Sequence, residues 1–299
     1  MNLLKIRLIV LIERFKKVTA VADELGVKQP TISFHMRKME EEWGTTLFEL
    51  KTGKVLLTEA GRLLHHYAEQ IDRLYTEAEL RMLELQKNGL RKFVMGCTET
   101  ANTAFLRGAW FASASEVADI QLSLVTGDND RLHDLLPEGC VDLIVTGKPT
   151  SLPACNNLLL TEDPLMLLLP AKHPLAGSMN FTSISAYRLA QLPFILLEDS
   201  SLREALNAWE AAERITLSVR WTTDRIEQVL GAVEAGTYLS VIPSCCINGE
   251  LLNGIAAIPL PGPPALYRMY AAWPHTSWDP QLAARMVSMI QEQAGKSTR

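Results

Sequence analysis

The sequence has no long apolar segment and no secretory pattern. Its longest apolar runs, such as Leu165 to Leu169, are far shorter than the ~20 residues that a membrane-spanning helix requires. The first residues also lack a basic stretch followed by an apolar run and a small-residue cleavage site. We therefore expect a globular protein of the cytoplasm that does not enter a membrane.

Cysteine is scarce, and its placement indicates neither a zinc site nor a disulfide framework. The five cysteines stand at positions 97, 140, 155, 245 and 246. None belongs to a Cys-x-x-Cys pair, and no histidine cluster accompanies them. The adjacent Cys245 and Cys246 cannot easily close an unstrained disulfide. We expect buried, reduced thiols, with a redox sensor as the alternative.

The common catalytic and nucleotide-binding motifs are missing as well. There is no Gly-x-Ser-x-Gly elbow, P-loop, Gly-x-Gly-x-x-Gly or His-Glu-x-x-His sequence. The six histidines are dispersed, and the adjacent His65 and His66 would face different ways on a helix. These absences argue against an enzyme, a metal site and a resident cofactor.

What the sequence does contain is an uneven distribution of charge. The net charge is −5, but residues 1–38 carry eight Lys or Arg and three Asp or Glu, a local charge of +5. Residues 90–299 carry 15 and 21, a charge of −6. Nucleic-acid binding depends on the local patch that meets the phosphates, so the total does not exclude it. A chain of 299 residues suggests about two domains.

Two helices are predicted at the start of the chain. The first has an apolar face at helical spacing, formed by Leu4, Leu8, Leu11, Ile12 and Phe15. The second fits residues 19–25, with Ala22 and Leu25 inward. Gly26 follows it, as glycine commonly follows a helix.

A third helix is predicted from Gln29, because Pro30 suits the first turn of a helix. Its inward side is formed by Ile32, Met36, Met39 and Trp43. Two short helices joined by a glycine-bearing turn and preceded by another helix are typical of a helix-turn-helix. Residues 43–58 then indicate a small wing, with Lys51 and Lys54 flanking a tight turn where they would contact phosphate. Taken alone, this turn is better explained as a solvated charged loop.

These residues resemble the signature of LysR-type bacterial regulators. The run from Ala22 to Ser33 carries the resemblance, together with Met39-Glu40, Leu47-Phe48-Glu49 and Leu57-Thr58-Glu59-Ala60-Gly61. The resemblance covers residues 3–65 and implies that the third helix enters the major groove of double-stranded DNA. The candidate DNA-binding residues are Lys28, Gln29, Pro30, Thr31, Ser33, Phe34, Arg37, Lys51 and Lys54.

Two positions depart from the family pattern. Lys28 stands where the family commonly has serine, so a helix cap is exchanged for a phosphate contact. Phe34 stands where arginine is frequent, and an outward aromatic ring there would meet a thymine methyl group. The alternative for Phe34 is packing against the wing.

The segment from Thr58 to Gln86 contains no proline and a single early glycine, which predicts one long helix. Ala60, Leu64, Tyr67, Ile71, Leu74, Ala78 and Leu85 follow alternating three- and four-residue steps, interrupted at Arg81. Such a narrow seam indicates a dimer, with Leu64, Tyr67, Ile71 and Leu74 as its contacts, and twofold symmetry suits DNA half-sites. Packing against the chain's own body is the alternative.

After residue 90 the pattern changes to short apolar strands alternating with helices. Strands are predicted at 93–97, 120–125, 142–146, 165–169, 194–197 and 239–243, and helices near 101–114, 128–136, 184–190, 201–212 and 224–235. The chain would return to the first lobe at 267–273 and end in a final helix. This alternation predicts an α/β fold with mostly parallel sheets.

The second half is similar to the LysR-type effector domain, a two-lobed fold shared with periplasmic binding proteins. Three segments carry the similarity: Gly139 to Leu143, His173 to Leu175 and Ala235 to Pro243. The implied organisation is a winged helix-turn-helix at 1–58, a linker helix at 59–89 and an effector domain at 90–299. Lobe I would hold about 90–163 and 266–299, and lobe II about 164–265.

Ligands of such folds bind beyond the carboxyl ends of strands, where helix N-termini favour anions. The candidate effector contacts are Thr98, Thr100, Thr146 and Ser201. Ser201 also opens a Ser-x-x-Glu capping box with Glu204, so plain helix capping is its alternative role. The Thr98-x-Thr100 pair resembles the sulfur- and cysteine-responsive branch of the family.

The resemblance implies a sequence-specific transcription regulator controlled by a small anionic effector. The family is usually tetrameric, often activates transcription and contacts RNA polymerase, and repression is the alternative within it. A solute-binding protein or an enzyme on the same two-lobed fold is the alternative from another class.

Overall fold

The computed structural model describes residues 2–105, 110, 114, 117, 120–176, 185–247 and 254–297. The chain forms two compact units, Met1–Gly89 and Leu90–Arg299. Within the described ranges, no helix is both long and apolar enough to cross a bilayer. The same ranges contain no group of three or more His, Cys, Asp or Glu side chains placed to hold a metal ion.

The first unit is a helix-turn-helix with a wing and one long helix, which confirms the predicted elements. They are α1 (Leu3–Phe15), α2 (Val18–Glu24), α3 (Gln29–Trp43), β1 (Phe48–Lys51), β2 (Lys54–Leu57) and α4 (Glu59–Asn88). Thr52 and Gly53, between the two wing strands, both have positive φ, as a type I′ hairpin turn requires.

The core of this unit joins all of its elements. It contains Ile6, Leu8, Ile9, Ile12, Val21, Ala22, Ile32, Met39, Leu47, Val55, Leu57, Leu64 and Ala68. Glu40 on α3 accepts hydrogen bonds from the backbone N–H groups of Leu47 (2.8 Å) and Phe48 (3.1 Å), which fixes the wing to the helix. The inward assignment of Trp43 was wrong: it is 52% exposed, because α3 ends there and the chain turns away at Gly44.

The second unit alternates strands and helices. Its strands are β3 (Arg91–Cys97), β4 (Ile120–Thr126), β5 (Leu143–Thr146), β6 (Cys155–Pro170), β7 (Pro193–Leu197), β8 (Ser218–Thr223), β9 (Ser240–Pro243), β10 (Ile255–Pro259) and β11 (Leu266–Pro274). Its helices are α5 (Glu99–Phe105), α6 (Asn129–Leu135), α7 (Ala186–Leu189), α8 (Ser200–Glu213), α9 (Ile226–Glu234) and α10 (Pro280–Ser297). The helices predicted near 101–114 and 184–190 fall partly outside the described residues.

Strand β6 runs through two sheets and so divides this unit into two lobes. Its first part pairs with β11 in the lobe I sheet, whose order is β6-β11-β5-β3-β4. Its last part pairs with β10 and β9 in lobe II. A bridge between Phe194 and Leu239 joins β9 to β7, and β8 follows at the edge. The crossing between the lobes therefore lies at Pro164 and Leu165 inside one continuous strand.

The expectation of mostly parallel sheets needs correction, because both sheets are mixed. The pairs β3–β4, β3–β5 and β7–β8 are parallel. The long β6 and the returning β11 pair antiparallel with every neighbour. The sequence analysis also missed β8, β10 and the first half of β6.

Candidate functional site

The N-terminal turns of α3 present most of the predicted DNA-binding residues to solvent. Six of these residues are exposed, namely Lys28, Gln29, Pro30, Thr31, Phe34 and Arg37, and Ser33 is half-buried. The opposite face is held by Ile32 and Met39, both fully buried. A helix fixed on its inner side and polar at its outer N-terminal end has the form of a major-groove recognition helix.

The two departures from the family pattern have clear local structures. Lys28 is the N-cap of α3 and makes no capping side-chain hydrogen bond, as expected for a lysine in place of serine. Phe34 is 60% exposed and meets the ring of His35 edge-on, with centroids 5.6 Å apart. Burial of Phe34 against the wing is therefore not what the structure shows.

The wing places its two lysines differently. Lys51 and Lys54 are both exposed at the ends of the hairpin turn. Lys51 forms an ion pair with Glu49 at 2.6 Å, which lowers the pKa of the Glu49 carboxyl. Because this pair partly neutralises Lys51, Lys54 has the better placed charge for a phosphate contact.

The long helix α4 has an exposed apolar surface, but the predicted seam is shorter than expected. Tyr67, Ile71 and Leu74 are 56, 43 and 49% exposed. Leu64 is buried in the core of its own unit, so packing within the chain accounts for it. Further exposed apolar residues that the heptad pattern does not include are Leu63, Tyr75, Leu80, Met82 and Leu83.

In the second unit, a cavity of about 820 Å³ opens between the two lobes. Lobe I contributes Thr98 and Glu99 after β3, together with residues 126–131 after β4. Lobe II contributes residues 196–200 together with Arg203, Leu217, Val219, Thr222, Asp224 and Arg225. The cavity thus lies beyond the carboxyl ends of β3, β4 and β7, where ligands of open α/β sheets bind.

Of the four predicted effector contacts, Thr98 alone is among the residues that line this cavity. Thr100 is fully buried and donates to Asp199 Oδ2 at 2.6 Å. Thr146 is fully buried and donates to the carbonyl of Lys148 at 2.8 Å. Ser201 is buried and accepts from Asn129 Nδ2 at 3.0 Å. These three hydroxyls serve contacts within the protein.

The capping box predicted at Ser201 does not form. Asp199 is the N-cap of α8, and its Oδ1 accepts from the N–H groups of Ser201 (2.9 Å) and Leu202 (3.0 Å). Glu204 instead pairs with Lys148 at 2.6 Å. Asp caps helices as well as Ser does, so the Asp199-Ser200-Ser201 run was ambiguous by two positions.

Asp199 also joins the two lobes, a role that the sequence analysis missed. Its Oδ2 accepts from Thr100 and from the hydroxyl of Tyr267 (2.9 Å), both in lobe I. Burial and the neighbouring Asp199 charge raise the pKa of Tyr267 well above its ordinary value, so this hydroxyl remains a donor.

Asn129 forms a second link between the lobes. Its amide nitrogen donates to Ser200 (2.9 Å) and Ser201, and its oxygen accepts from the N–H of Gly147 (2.9 Å). This buried amide spans lobe I and the start of α8.

The charges that line the cavity differ from the expectation that helix N-termini in the cleft bind an anionic effector. Six carboxylates line it, from Glu99, Asp128, Asp130, Glu198, Asp199 and Asp224, against three guanidinium groups, from Arg131, Arg203 and Arg225. Asp128 caps α6 by accepting from Arg131 N (2.8 Å), and Glu99 accepts from the first N–H of α9 at 3.4 Å. The protein's own carboxylates thus satisfy the helix ends.

The cysteines are all unbridged. Burial raises the pKa of Cys97 to about 12, and the pKa of Cys245 is also raised, through its contact with Cys246 and through burial. These two therefore stay protonated thiols. The expectation that all five are buried was wrong for Cys140, which is exposed after the turn at Gly139, and for Cys155, which is half-buried.

A winged helix-turn-helix joined in one chain to a two-lobed domain with a ligand-sized cleft defines a ligand-responsive DNA-binding regulator. Residues 3–62 match the family described as bacterial regulatory helix-turn-helix protein, lysR family, and residues 89–295 match the LysR substrate binding domain. The chain belongs to the LysR family of transcriptional regulators.

Relatives of known role support this membership along most of the chain. The RuBisCO operon transcriptional regulator of Allochromatium vinosum is 30% identical over 251 residues, which cover 84% of this chain and 82% of the relative. The HTH-type transcriptional activator CmpR of a Synechocystis species is 27% identical, over 83% of this chain and 80% of that protein.

Solved structures share the fold. A mutant of OxyR from Corynebacterium glutamicum superposes with a TM-score of 0.59 at 20% identity, covering 99% of this chain and 92% of that chain. A LysR family regulator described as putative, from Pseudomonas aeruginosa, gives a TM-score of 0.58 at 21% identity, covering 98 and 99%.

We predict that Phe34→Ala alters sequence preference more than general DNA affinity, because an exposed ring at a groove-facing position contacts bases rather than phosphates. Discrimination between the operator and a random duplex should fall by roughly 1–3 kcal/mol in gel-shift titrations. Lys54→Ala is the control: it should weaken both duplexes alike and lower the salt dependence by about one phosphate contact. Equal losses on both duplexes for Phe34→Ala would contradict the prediction.

We also predict that Gly147→Ala loosens the two lobes. A Cβ at this position would lie 2.4 Å from Ser201 Cβ and 2.7 Å from the Tyr267 hydroxyl. The variant should lose about 1–3 kcal/mol in free energy of unfolding, and the first turn of α8 should exchange amide hydrogens faster. In the control Gly127→Ala, the nearest atom is 3.5 Å away, so little change is expected. Unaltered exchange in α8 of Gly147→Ala would disprove this close fit.

Proposed function

We propose that this regulator binds DNA as a dimer or a dimer of dimers and activates transcription when a small molecule enters the cleft between its lobes. In this proposal residues 1–58 bind DNA, 59–89 form the linker helix and 90–299 sense the effector. The observation that carries it is the cavity of about 820 Å³ between two lobes, in a chain whose α3 exposes its N-terminal end. That volume suits a ligand of small-metabolite or drug size.

Dimerisation through α4 is supported by its exposed Tyr67, Ile71 and Leu74, which follow one another at heptad spacing. The helix is held on α1 by Arg7, which donates to Asp72 at 2.9 Å, so its outer face is free of that contact. Two copies paired in this way would present two α3 helices to half-sites about one DNA turn apart.

The effector can be identified by a screen of small molecules. The Thr98-x-Thr100 pair resembles regulators that respond to sulfur compounds, but Thr100 donates to Asp199, and one of the relatives named above is a regulator of the RuBisCO operon. We therefore treat sulfate, thiosulfate and acetylserine as one set of candidates and small carboxylates and phosphates as another. A true effector raises the melting temperature by mass action.

Activation would follow from a hinge motion of the lobes that changes the spacing of the DNA-binding units. The altered DNA bend would then allow contact with RNA polymerase, in the cytoplasm where the DNA lies. The activator named among the relatives supports activation over repression.

Footprinting across the upstream region of the gene tests the function directly. We expect two protected half-sites about one helical turn apart, and a change in the protected length when a stabilising compound is added. In vitro transcription with RNA polymerase should rise in the same conditions. A fall would assign repression, and the absence of any protection at low ionic strength would contradict the proposed function.

For the linker helix, we predict that Ile71→Ser weakens dimerisation. Operator binding should fall by at least about tenfold with it, because a monomer cannot place two DNA-binding units on one operator. Leu80→Ser is the matched control, since Leu80 is 56% exposed on the same helix but outside the seam. Sedimentation equilibrium measures the association. Equal effects of the two substitutions would argue against a dimer along this seam.

A further inference from the structure

Four hydrogen-bond donors converge on one carboxylate at the inner end of the cleft. Two are backbone N–H groups of α8, from Ser201 and Leu202, at 2.9 and 3.0 Å from Asp199 Oδ1. Two are lobe I hydroxyls, from Thr100 and Tyr267, at 2.6 and 2.9 Å from Oδ2. Both carboxylate oxygens are therefore saturated.

This set of donors is what an anion-binding site consists of. The N-terminus of a 14-residue helix supplies oriented N–H groups and a partial positive charge, and the two hydroxyls donate from the other side. Thr100, Tyr267 and Asp199 are each buried, with 0, 1 and 7% of their surface exposed. In this chain the anion held there is covalently part of the protein.

The position also lies at the cavity, because Asp199 is one of its lining residues, next to Thr98 and Ser200. The four donors are already engaged by Asp199, so they are not open to a ligand that enters the cleft. A second carboxylate brought to the same four donors would be buried against a like charge without a partner, which is strongly unfavourable.

We propose that Asp199 is a specificity-determining residue of the effector cleft: its carboxylate is a resident substitute for an anionic ligand and excludes free anions from this position. The inference rests on the proposed function, in which the effector binds in this cleft. The effector accordingly carries no acidic group at this position, and any acidic group it does carry lies toward Arg131, Arg203 or Arg225, which line the same cavity.

Chemical rescue tests the proposal without knowledge of the effector. Asp199→Gly in the full-length protein removes the carboxylate but keeps a tolerable helix cap, since glycine costs a cap only a few tenths of a kcal/mol. We expect a lower melting temperature for the variant in sodium chloride. Sodium formate at the same ionic strength should raise it by roughly 2–4 °C or more, because formate fills the vacated position.

Two further variants make the rescue specific. Asp128→Gly removes another N-cap aspartate, which accepts from Arg131 N but has no lobe I–lobe II partners among its described hydrogen bonds. Formate should not rescue it beyond chloride. Adding Tyr267→Phe to Asp199→Gly removes one of the four donors and should weaken the apparent affinity for formate several-fold.

The outcomes separate cleanly. The proposal is supported if formate rescues Asp199→Gly but not Asp128→Gly. If Asp199→Gly does not fold in chloride, recovery of soluble protein by refolding in formate supports the proposal equally. No gain from formate in either readout overturns it. Stabilisation of the unmodified protein by sulfate or formate that Thr100→Val abolishes also overturns it, because an anion would then enter despite Asp199. None of these measurements involves DNA, so failure of the regulator function would appear only in the footprints.

Discussion

The buried carboxylate of Asp199 is the constraint on which the arrangement of the second unit depends. A buried charge is tolerated only if its oxygens are hydrogen-bonded, and here half of the required donors belong to one lobe and half to the other. Separation of the lobes would leave one carboxylate oxygen without its partners or require water to replace them. The same group sets the start of α8 and the chemistry of the cleft wall.

In the first unit, too, a single carboxylate holds two elements together. Glu40 accepts from two backbone N–H groups of the segment that leads into the wing, so one side chain fixes the wing relative to α3. The recognition face itself is left without such ties, since Lys28 makes no capping bond and Phe34 is mostly exposed. Rigid support behind an exposed face is what the proposed contact of α3 with DNA requires.

Local signals were sufficient for most of the fold and insufficient for the site. Residues with strong backbone preferences mark the ends of several elements. Examples are Pro30 at the start of α3 and Gly53 in the wing turn, and the apolar strands of lobe I are recognisable by composition. The first half of β6 was missed because Asp163-Pro164 has the composition of a break, whereas the strand continues through these residues from one sheet into the other.

The site was harder because its contacts join residues far apart in the chain. The Thr100–Asp199 bond spans 99 positions and the Asp199–Tyr267 bond spans 68, and no periodic pattern records them. Thr98 and Thr100 looked equivalent in the sequence, but only Thr98 lines the cavity, and Thr100 is fully buried. Ser201 was preferred as a cap because its spacing to Glu204 fits a familiar motif, while Asp199 was an equally good cap two residues earlier.

The crossing between the lobes gives these observations a mechanical consequence. Pro164 pairs with Leu266, and the N–H of Leu165 donates to the carbonyl of Ala265 at 2.9 Å, so the two connecting segments run as one hydrogen-bonded ribbon. Such a ribbon bends and twists more readily than it stretches. Tyr267 is the next residue along, which places the hydroxyl that holds Asp199 beside the pivot. A rotation of one lobe about this ribbon would displace groups near it less than groups far from it.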